Sequence, residues 1–427
     1  MKARYLLSAL AAVLTITAGS CTPKEESDEA LLDKIEQATI KYFTDFAEPN
    51  TGMARERNED VHGNIVTTGG TGFGMMAIIA GAERGYYPRE EGEQRLEKII
   101  SSLERLERFH GAWAHWYDGD SGEAYPFSKY DDGGDLVETA FLTQGILTTR
   151  QWTGSQSLKA RCDSLWRGIE WNWYTQATDS LYWHWSKNYD FKMNHRIRGF
   201  DETLITYILA AASPTYPITK ECYETSYKTS PYYYNGNEYY GIPLTIGMPY
   251  GGPLFFTHYS FLGLDPRGLS DGHTDYFERN RNQCLIHRAY AMDHPEKQLG
   301  GDFWGFTSSD DALLGYAGHY PGTPEENGTV SPTAAISSIV YTPEESMAVI
   351  RRLFKDPRTW GPYGFYDAVN YTLPEDKQVL EHYLAIDQGP EAVMIENWRS
   401  GLLWDLFGSS PEIQAGLDKL GFYYNND

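Results

Sequence analysis

The chain has 427 residues, of which 41% are hydrophobic and 22% are charged, so it is long enough to bury a large core. Its formal net charge of −23 excludes nucleic acid as a natural partner, because neutralising phosphates requires a basic surface. The same charge argues against uronic or sulfated glycans, whereas 15% aromatic residues and many carboxylates are typical of a surface that handles neutral sugars.

The first residues of the chain have the pattern of a secretion signal. Lys2 and Arg4 precede an apolar run over residues 6–16, which is too short for a permanent membrane span. Small residues then lead directly into Cys21, a pattern that resembles the lipobox of bacterial lipoproteins. We therefore expect a lipoprotein signal peptide at 1–20 and a lipid on Cys21; an ordinary secretion signal with an incidental cysteine is the alternative.

The chain that follows this signal is expected to be one domain. An acidic tether is predicted at 21–29 and a single folded domain at 30–427, held at the outer membrane by the lipid and facing the periplasm or the cell surface. The remaining cysteines are widely spaced and odd in number, which allows at most one disulfide and predicts no metal cluster: Cys162, Cys222 and Cys284.

Helical patterns dominate the rest of the sequence. Amphipathic helices with one charged face are predicted at 28–48, 91–109, 157–172, 219–228, 275–292 and 344–355. Between them lie segments that are apolar on nearly all sides, at 71–82, 136–149, 203–212, 254–264, 333–341 and 392–407. This alternation predicts an all-α fold, an (α/α)6 toroid with six inner and six outer helices. An irregular helical bundle or a helical solenoid is the alternative.

Glycines and acids gather at the predicted beginnings of the inner helices. In such a toroid the inner helices run parallel, so their N-termini meet at one mouth and their acids converge on one pocket. The connectors at 111–134 and 294–332 are rich in aromatic residues, which is typical of functional loops over a cleft.

Three of these acids lie at the start of the second inner helix. Asp131, Asp135 and Glu138 fit turn and capping-box chemistry, so a purely structural role is open. Three carboxylates within eight residues of a glycine-rich entry also fit hydrogen bonding to neighbouring sugar hydroxyls.

Other acids lie at the third and sixth inner helices. Asp201 is the natural cap, which leaves Glu202 free beside an aromatic residue, where burial would raise its pKa as a general acid requires. Asp387 lies in a turn, where it caps the helix or faces the mouth. Glu396 is a candidate substrate contact or a buried strut for Arg399.

Aromatic residues in glycine- and aspartate-rich stretches are candidates for stacking on sugar rings, although most tryptophans in proteins are core residues. The candidates are Trp113, Trp116, Tyr130, Trp183, Trp304 and Tyr366. The histidines show no metal-ligand spacing and no serine elbow motif occurs, so we expect neither metal nor cofactor.

Several motifs occur in the order found in one known family. They are Thr68–Gly74, Tyr130–Thr139, Arg198–Glu202, Tyr363–Ala368, Ile386–Glu391 and Glu396–Asn397, and together they resemble glycoside hydrolase family 144, the bacterial β-1,2-glucanases with a glucoamylase-type domain. The resemblance runs from about residue 30 to the end of the chain. It implies an (α/α)6 toroid and inverting hydrolysis of β-1,2-glucan to sophorose and short sophorooligosaccharides.

The resemblance also assigns roles to the acids. Glu202 matches the position of the general acid and Asp387 that of the base, whereas Asp131, Asp135 and Glu138 would line the cleft and be needed for activity. The expected partner is therefore a neutral β-glucan acted on by a monomer. The alternatives are a glycosidase for another neutral β-glucan, a uronate-specific toroid lyase and a non-catalytic glycan-binding surface lipoprotein.

Overall fold

The computed structural model describes residues 26–59 and 63–425. The predicted signal peptide and Cys21 lie outside the described residues. The first helix begins at Asp28, within the stretch predicted as a tether, and its N-cap Ser27 accepts a hydrogen bond from the amide of Ala30.

Helices account for most of the described architecture. The α-helices are α1 (Asp28–Thr44), α2 (Thr68–Glu83), α3 (Arg89–Leu103), α4 (Leu136–Trp152), α5 (Gln156–Arg167), α6 (Leu204–Ala212), α7 (Tyr276–Asp293), α8 (Pro332–Ser337), α9 (Pro343–Leu353), α10 (Ala385–Ser400), α11 (Leu402–Gly408) and α12 (Pro411–Leu420). Short 3₁₀ helices lie at Trp171–Thr175, Pro249–Gly251, Leu254–Thr257, Tyr259–Phe261, Pro295–Lys297, Ser338–Val340, Pro357–Thr359 and Glu375–Lys377, and a π-helical turn lies at Cys222–Tyr227.

The strands are short and pair only in small antiparallel sheets within the described residues. They are β1 (Ile65–Thr67), β2 (Trp116–Asp118), β3 (Ala124–Tyr125), β4 (Gly134–Asp135), β5 (His184–Trp185), β6 (Tyr234–Tyr239), β7 (Ile242–Ile246), β8 (Leu269–Ser270), β9 (Ser308–Asp311), β10 (Gly315–Gly318), β11 (Trp360–Gly361), β12 (Gly364–Phe365), β13 (Ala368–Val369), β14 (Val379–Leu380) and β15 (Tyr423–Tyr424). The connectors predicted as functional loops therefore contain hairpins, notably β2–β3 and β9–β10.

The apolar segments form a closed inner ring, which confirms the predicted toroid. Helix α2 packs against α4 on one side and α10 on the other, α4 packs against α6, and α10 packs against α8. The 3₁₀ turn Tyr259–Phe261 packs against α6, and the neighbouring His258 contacts Ser338 after α8 at 3.1 Å, which closes the ring. Residues 68–82 of α2 are buried without exception, as its uniformly apolar sequence requires. The amphipathic helices α1, α3, α5, α7 and α9, with the π-helical turn between α6 and α7, form the outer layer.

The structure corrects the sequence-based boundaries at three places. The fourth inner helix, predicted at 254–264, consists of two short 3₁₀ turns, Leu254–Thr257 and Tyr259–Phe261, separated by His258. The predicted outer helix at 219–228 is the short π-helical turn. The helix predicted at 392–407 ends at Ser400, because Gly401 takes a left-handed conformation (φ 74°) and α11 begins after it.

One helix was not predicted from the sequence. Helix α12 follows the last inner helix and packs against α6. No helix within the described residues is long and apolar enough to cross a membrane.

Candidate active site

The N-terminal ends of the inner helices open onto one cavity of about 390 Å³. Thr67 precedes α2, Glu138 lies in the first turn of α4, Glu202 precedes α6 and Ile386 lies in the first turn of α10. The complete lining is Glu56, Arg57, Thr67, His115, Trp116, Phe127, Glu138, Phe141, Trp183, Glu202, Phe255, Tyr259, Tyr316, Leu384 and Ile386. The parallel inner helices therefore do bring distant acids to a common mouth.

Glu138 is held at the mouth by a backbone donor from the neighbouring inner helix. The amide of Gly69 donates to its Oε2 over 2.7 Å. A Cβ at position 69 would lie 2.5 Å from the same oxygen, so only glycine permits this approach. Burial, opposed by the cation of His115 and helped by the charge of Asp135, raises the pKa of Glu138 to about 7.

Asp135 lies behind the cavity wall and does not itself line it. Its Oδ1 accepts from the amides of Val137 and Glu138, each over 2.9 Å, which is the capping role considered from the sequence. Its Oδ2 accepts from His115 Nδ1 at 3.0 Å and from the indole of Trp183 at 3.1 Å. Asp135 therefore caps α4 with one oxygen and orients two cavity-lining rings with the other.

His115 places a positive charge among these acids. Burial alone would lower the pKa of His115, but the charges of Glu138 and Asp135 and the hydrogen bond to Asp135 outweigh burial and raise it to about 9. Its Nε2 lies 3.9 Å from Oε1 of Glu138. The imidazolium is thus the main compensation for a cluster of carboxylates that includes Asp131.

Asp131 is buried at the edge of this cluster. Its Oδ1 lies 3.2 Å from Nε2 of His184 on β5. Burial and the charge of Asp135 raise the pKa of Asp131 to about 7. His115, Asp131 and Asp135 bring metal-ligand atom types within 4.8 Å of one another, and the hydrogen bond of His115 to Asp135 accounts for part of this proximity.

Glu202 has the environment expected of a general acid. Asp201 was predicted as the cap, but the N-cap of α6 is Thr203 and no side chain caps the helix. Asp201 accepts from the amide of Thr203 over 2.9 Å, and the Glu202 carboxyl lies at the cavity. Burial, followed by the charges of Asp201, Glu138 and Asp135, raises the pKa of Glu202 well above its ordinary value. The raised pKa favours the protonated form, which a general acid needs.

Asp387 lies in the first turn of α10, just beneath the cavity. The hydroxyl of the cavity-lining Tyr259 donates to its Oδ1 over 3.5 Å. Asp387 Oδ2 is buried and has no hydrogen-bond partner, and the charge that acts on it most strongly is that of Asp367, which is fully buried. Burial and the charge of Asp367 raise the pKa of Asp387 well above its ordinary value.

A second charged network supports the Asp367 side of this pair. The amide of Asp310 on β9 donates to Asp367 Oδ2 over 3.3 Å. Asp310 itself accepts from Arg57 at 3.1 Å and from His382 at 2.8 Å. Arg57 lines the cavity and also pairs with Glu56, so its charge is already balanced by acids.

Aromatic rings form much of the remaining wall. Trp116 and Phe127 contact each other with ring centroids 4.9 Å apart, and Trp183 stacks on His195 at 4.8 Å. Tyr316 reaches the cavity from the β9–β10 hairpin, within the connector predicted to cover the cleft. Of the predicted stacking residues, Trp116 and Trp183 therefore lie at the cavity.

Other predicted contacts lie elsewhere in the structure. Trp113 and Trp304 are fully buried, and the Trp113 indole donates to the carbonyl of Leu103, so no sugar can reach either ring. Tyr130 packs against Tyr189, and Tyr366 packs against Tyr383; neither lines the cavity.

Glu396 is a buried structural residue, which was the alternative prediction for it. Its ion-pair partner, however, is not the predicted Arg399. It forms an ion pair with Arg84 at 2.5 Å, at the C-terminal ends of α10 and α2. Arg399 instead pairs with Glu29, Asp33 and Glu36 on α1. Glu396 therefore joins two inner helices at the end of the ring away from the cavity.

Several cavity residues were not singled out from the sequence. Tyr259 and Phe255 lie in an apolar run that predicts only core, and Glu56 and Arg57 lie in a turn-rich stretch without a distinctive pattern. His115 belongs to no metal-ligand or catalytic spacing that would distinguish it from the other histidines. Asp367 could have been identified from the sequence, because it lies within one of the motifs that carry the family resemblance.

Comparison with known protein families gives two matches. Residues 194–411 match the Glycoamylase family model, described as "Putative glucoamylase". Residues 34–132 match a family described as a protein of unknown function, DUF3131.

Individual relatives are similar over nearly the whole chain. An exo β-1,2-glucooligosaccharide sophorohydrolase (non-reducing end) from Parabacteroides distasonis is 42% identical over 94% of this chain, which spans 59% of that protein's length. The structure of an endo-β-1,2-glucanase from Chitinophaga pinensis, a complex with sophorotriose and glucose, is 48% identical with a TM-score of 0.89, covering 93% of this chain and 99% of that chain.

A more distant structure shares the fold. An endo-β-1,2-glucanase variant from Talaromyces funiculosus in complex with β-1,2-glucan is 11% identical, with a TM-score of 0.66 over 93% of this chain and 91% of that chain.

Proposed function

This chain belongs to the Glycoamylase family, in agreement with its resemblance to glycoside hydrolase family 144, and on that premise we propose that it hydrolyses β-1,2-glucan to sophorose or short sophorooligosaccharides. The observation that carries the proposal is that Glu202 lines a ring-walled cavity and that Asp387 lies behind the Tyr259 wall of the same cavity, 3.5 Å from the tyrosine hydroxyl. Relatives named for β-1,2-glucan cleavage support the substrate.

In this proposal Glu202 is the general acid. Its raised pKa keeps a proton available for the oxygen of the leaving sugar, which general acid catalysis near neutral pH requires. Asp387, in its ionised form, is the base that accepts a proton from the attacking water. The two carboxyl groups come from the beginnings of the third and sixth inner helices, and the proposed inversion requires that they lie on opposite faces of the sugar.

The remaining polar groups bind and orient the substrate. Glu138 accepts from sugar hydroxyls with the oxygen that Gly69 leaves available. Asp135 holds His115 and Trp183 in place, and Asp131 adds negative charge that keeps His115 protonated. Trp116, Trp183 and Tyr316 supply faces for sugar rings.

Product analysis on linear β-1,2-glucan tests the substrate, with β-1,3-, β-1,4- and α-1,4-glucans alongside. We expect sophorose or short sophorooligosaccharides to be released from the β-1,2-linked polymer and no sugar to be released from the other glucans. Sophorose as the sole early product indicates cleavage from a chain end, and a ladder of oligosaccharides indicates internal cleavage. Binding without release of reducing sugar would favour the glycan-binding alternative, and an unsaturated product would favour the lyase.

Amide variants test the two catalytic roles. Glu202→Gln and Asp387→Asn should each lower turnover by about 10²- to 10⁴-fold while leaving sophorooligosaccharide binding in place. Glu123→Gln, on the exposed β2–β3 hairpin, is the matched control. NMR of the first product anomer tests inversion. Near-normal turnover in either amide variant would remove that residue from the mechanism.

We also propose that the protein is a monomeric lipoprotein of the outer membrane, anchored only through Cys21. The lipobox-like sequence before Cys21 supports this proposal. Replacing Cys21 with alanine should move the protein from the membrane fraction to the soluble fraction of the envelope, and protease treatment of intact cells distinguishes the cell surface from the periplasm. A variant that stays with the membrane would contradict the anchor.

A further inference from the structure

A second depression lies outside the candidate active site. It has a volume of about 720 Å³ and is lined by Glu170, Asn172, Trp173, Thr175, Gln176, Ala177, Phe191 and Tyr216. None of these residues lines the active-site cavity. Asn172, Trp173 and Thr175 belong to the 3₁₀ helix after α5.

The centre of the depression is a supported tryptophan ring. Trp173 is 42% exposed, although one face of its indole stacks on the imidazole of His110 at 3.7 Å with an angle of 15° between the rings. Glu170 fixes that imidazole through a 2.9 Å contact to Nδ1, and Trp185 meets Trp173 edge-on. The exposed area therefore belongs to the opposite face of a rigidly held ring.

The backbone around this ring is held in an unfavourable conformation. His110, Gln176 and Ala177 have φ values of 50°, 51° and 56°, and they are three of the eight non-glycine residues with positive φ in the described chain. Such residues are costly and concentrate where the surrounding structure serves a function. Here they bring the stacked histidine under the indole and turn the chain at the edge of the depression.

The groups beside the free indole face favour a neutral sugar as occupant. Asn172 and Gln176 supply amide donors and acceptors, Glu170 supplies a carboxylate, and Tyr216 adds a second exposed ring. A flat apolar face with polar groups at its rim matches a pyranose ring and its hydroxyls. The net charge of −23 disfavours an anionic glycan.

We propose that this depression is a second, non-catalytic glucan-binding site in which a pyranose ring stacks on the free face of Trp173. The choice of β-1,2-glucan as its occupant rests on the proposed function. The site lies behind the β4–β5 pair, because Trp185 pairs with Gly134, the residue before Asp135. A polymer bound there is held close to the structure that carries the active-site acids.

Affinity electrophoresis in gels that contain a neutral glucan tests the site without using activity. Trp173→Ala is made in the Glu202→Gln background, and Trp398→Ala, which removes a tryptophan of 40% exposure on α10, is the matched control. We expect Trp173→Ala to weaken binding to β-1,2-glucan by about tenfold, the factor that covering one indole face supplies. The Trp398→Ala control should bind as the parent does.

Further readouts separate this site from the catalytic cavity. In the otherwise native enzyme, Trp173→Ala should lower kcat/KM on the polymer several-fold and leave turnover of sophorotriose unchanged. Tyr216→Ala should also weaken polymer binding. Agreement between the two variants would show that the loss is not caused by misfolding of one of them. Parent-like polymer binding by both variants would overturn the site and leave the proposed hydrolysis standing.

Parallel gels should each contain β-1,3-, β-1,4- or α-1,4-glucan in place of β-1,2-glucan. Trp173-dependent binding to one of these instead of β-1,2-glucan would keep the site and overturn the proposed substrate. Equal losses in the Trp173→Ala and Trp398→Ala variants would overturn the site, because the effect would then not depend on the depression.

Discussion

Burial and the charge of the buried Asp367 raise the pKa of Asp387 beneath the candidate cavity. Asp387 Oδ2 and Asp367 Oδ1 are both buried and have no hydrogen-bond partner. Two ionised carboxylates are unfavourable in this position, because no donor compensates the charge at these atoms. Burial and the charge of Asp310 raise the pKa of Asp367 to about 7.

Replacing Asp367 with asparagine should move the acid limb of the pH–rate profile to lower pH. The amide removes the negative charge of Asp367, and this change favours the ionised form of Asp387. Its pKa falls, so the proposed base is available at lower pH. The measurement is kcat/KM on β-1,2-glucan from acid to neutral pH, with Asp376→Asn on an exposed turn as the control. An acid limb that stays in place would show that the pair does not set the ionisation of the base.

His115 should stabilise the fold in a pH-dependent manner. Its pKa is raised from 6.5 to about 9 in the folded protein, so its stabilisation is complete below pH 6.5 and is lost as the pH rises through 9. His115→Gln should therefore reduce the free energy of unfolding on the order of 3 kcal/mol near pH 6.5 and have little effect above pH 9. Urea unfolding from pH 6 to 10 measures this difference.

The matched control for that series is His273→Gln, which changes an exposed histidine on a turn. Its stability difference from the native protein should stay small and flat across the same range. A destabilisation by His115→Gln that does not shrink between pH 6.5 and 9 would contradict the imidazolium as the compensating charge.

Tyr316 should contribute to substrate binding without supporting the fold. It is 54% exposed on β10, yet its ring lines the cavity. Tyr316→Ala should raise KM for the glucan by about 3- to 10-fold, because one sugar ring loses an aromatic contact, while the thermal unfolding midpoint stays within about 1 °C. Leu313→Ala, with 59% exposure at the turn of the same hairpin, is the control. Equal KM values for the two variants would exclude Tyr316 from the substrate path.

The ring of helices could be predicted from the sequence because its signal is local. Segments such as 71–82 and 136–149 are apolar on all sides, and only a helix enclosed by other helices buries every side. The beginning of α4 was also readable, because Asp135 precedes this helix in a capping pattern. The α-helix predicted at 254–264 was wrong because an apolar run of residues does not distinguish an α-helix from two 3₁₀ turns.

The acidic residues of the site could be predicted from the sequence, whereas its aromatic residues could be predicted much less well. Glu138, Glu202 and Asp387 were identifiable because each lies beside glycines at the beginning of a helix that is otherwise largely apolar. Trp113 and Trp116 lie in the same stretch of sequence, but one is core and the other lines the cavity. Their directions depend on β2 and on packing against distant segments, which sequence spacing does not encode. Asp367 could be paired with Asp387 only once β13 and α10 were placed.

Glu396 gives the clearest separation between a structural acid and a catalytic one. It is buried, pairs with Arg84 and accepts from the hydroxyl of Ser400, at the far end of the ring from the cavity. Glu396→Gln should lower the free energy of unfolding by about 1–3 kcal/mol, because the Arg84 charge loses its partner. The value of kcat/KM per folded molecule should not change, since no cavity residue moves. Chemical unfolding combined with activity at a temperature well below the transition measures both, and Glu344→Gln on the exposed face of α9 is the control. If Glu396→Gln instead raises KM and leaves the stability unchanged, Glu396 contacts the substrate.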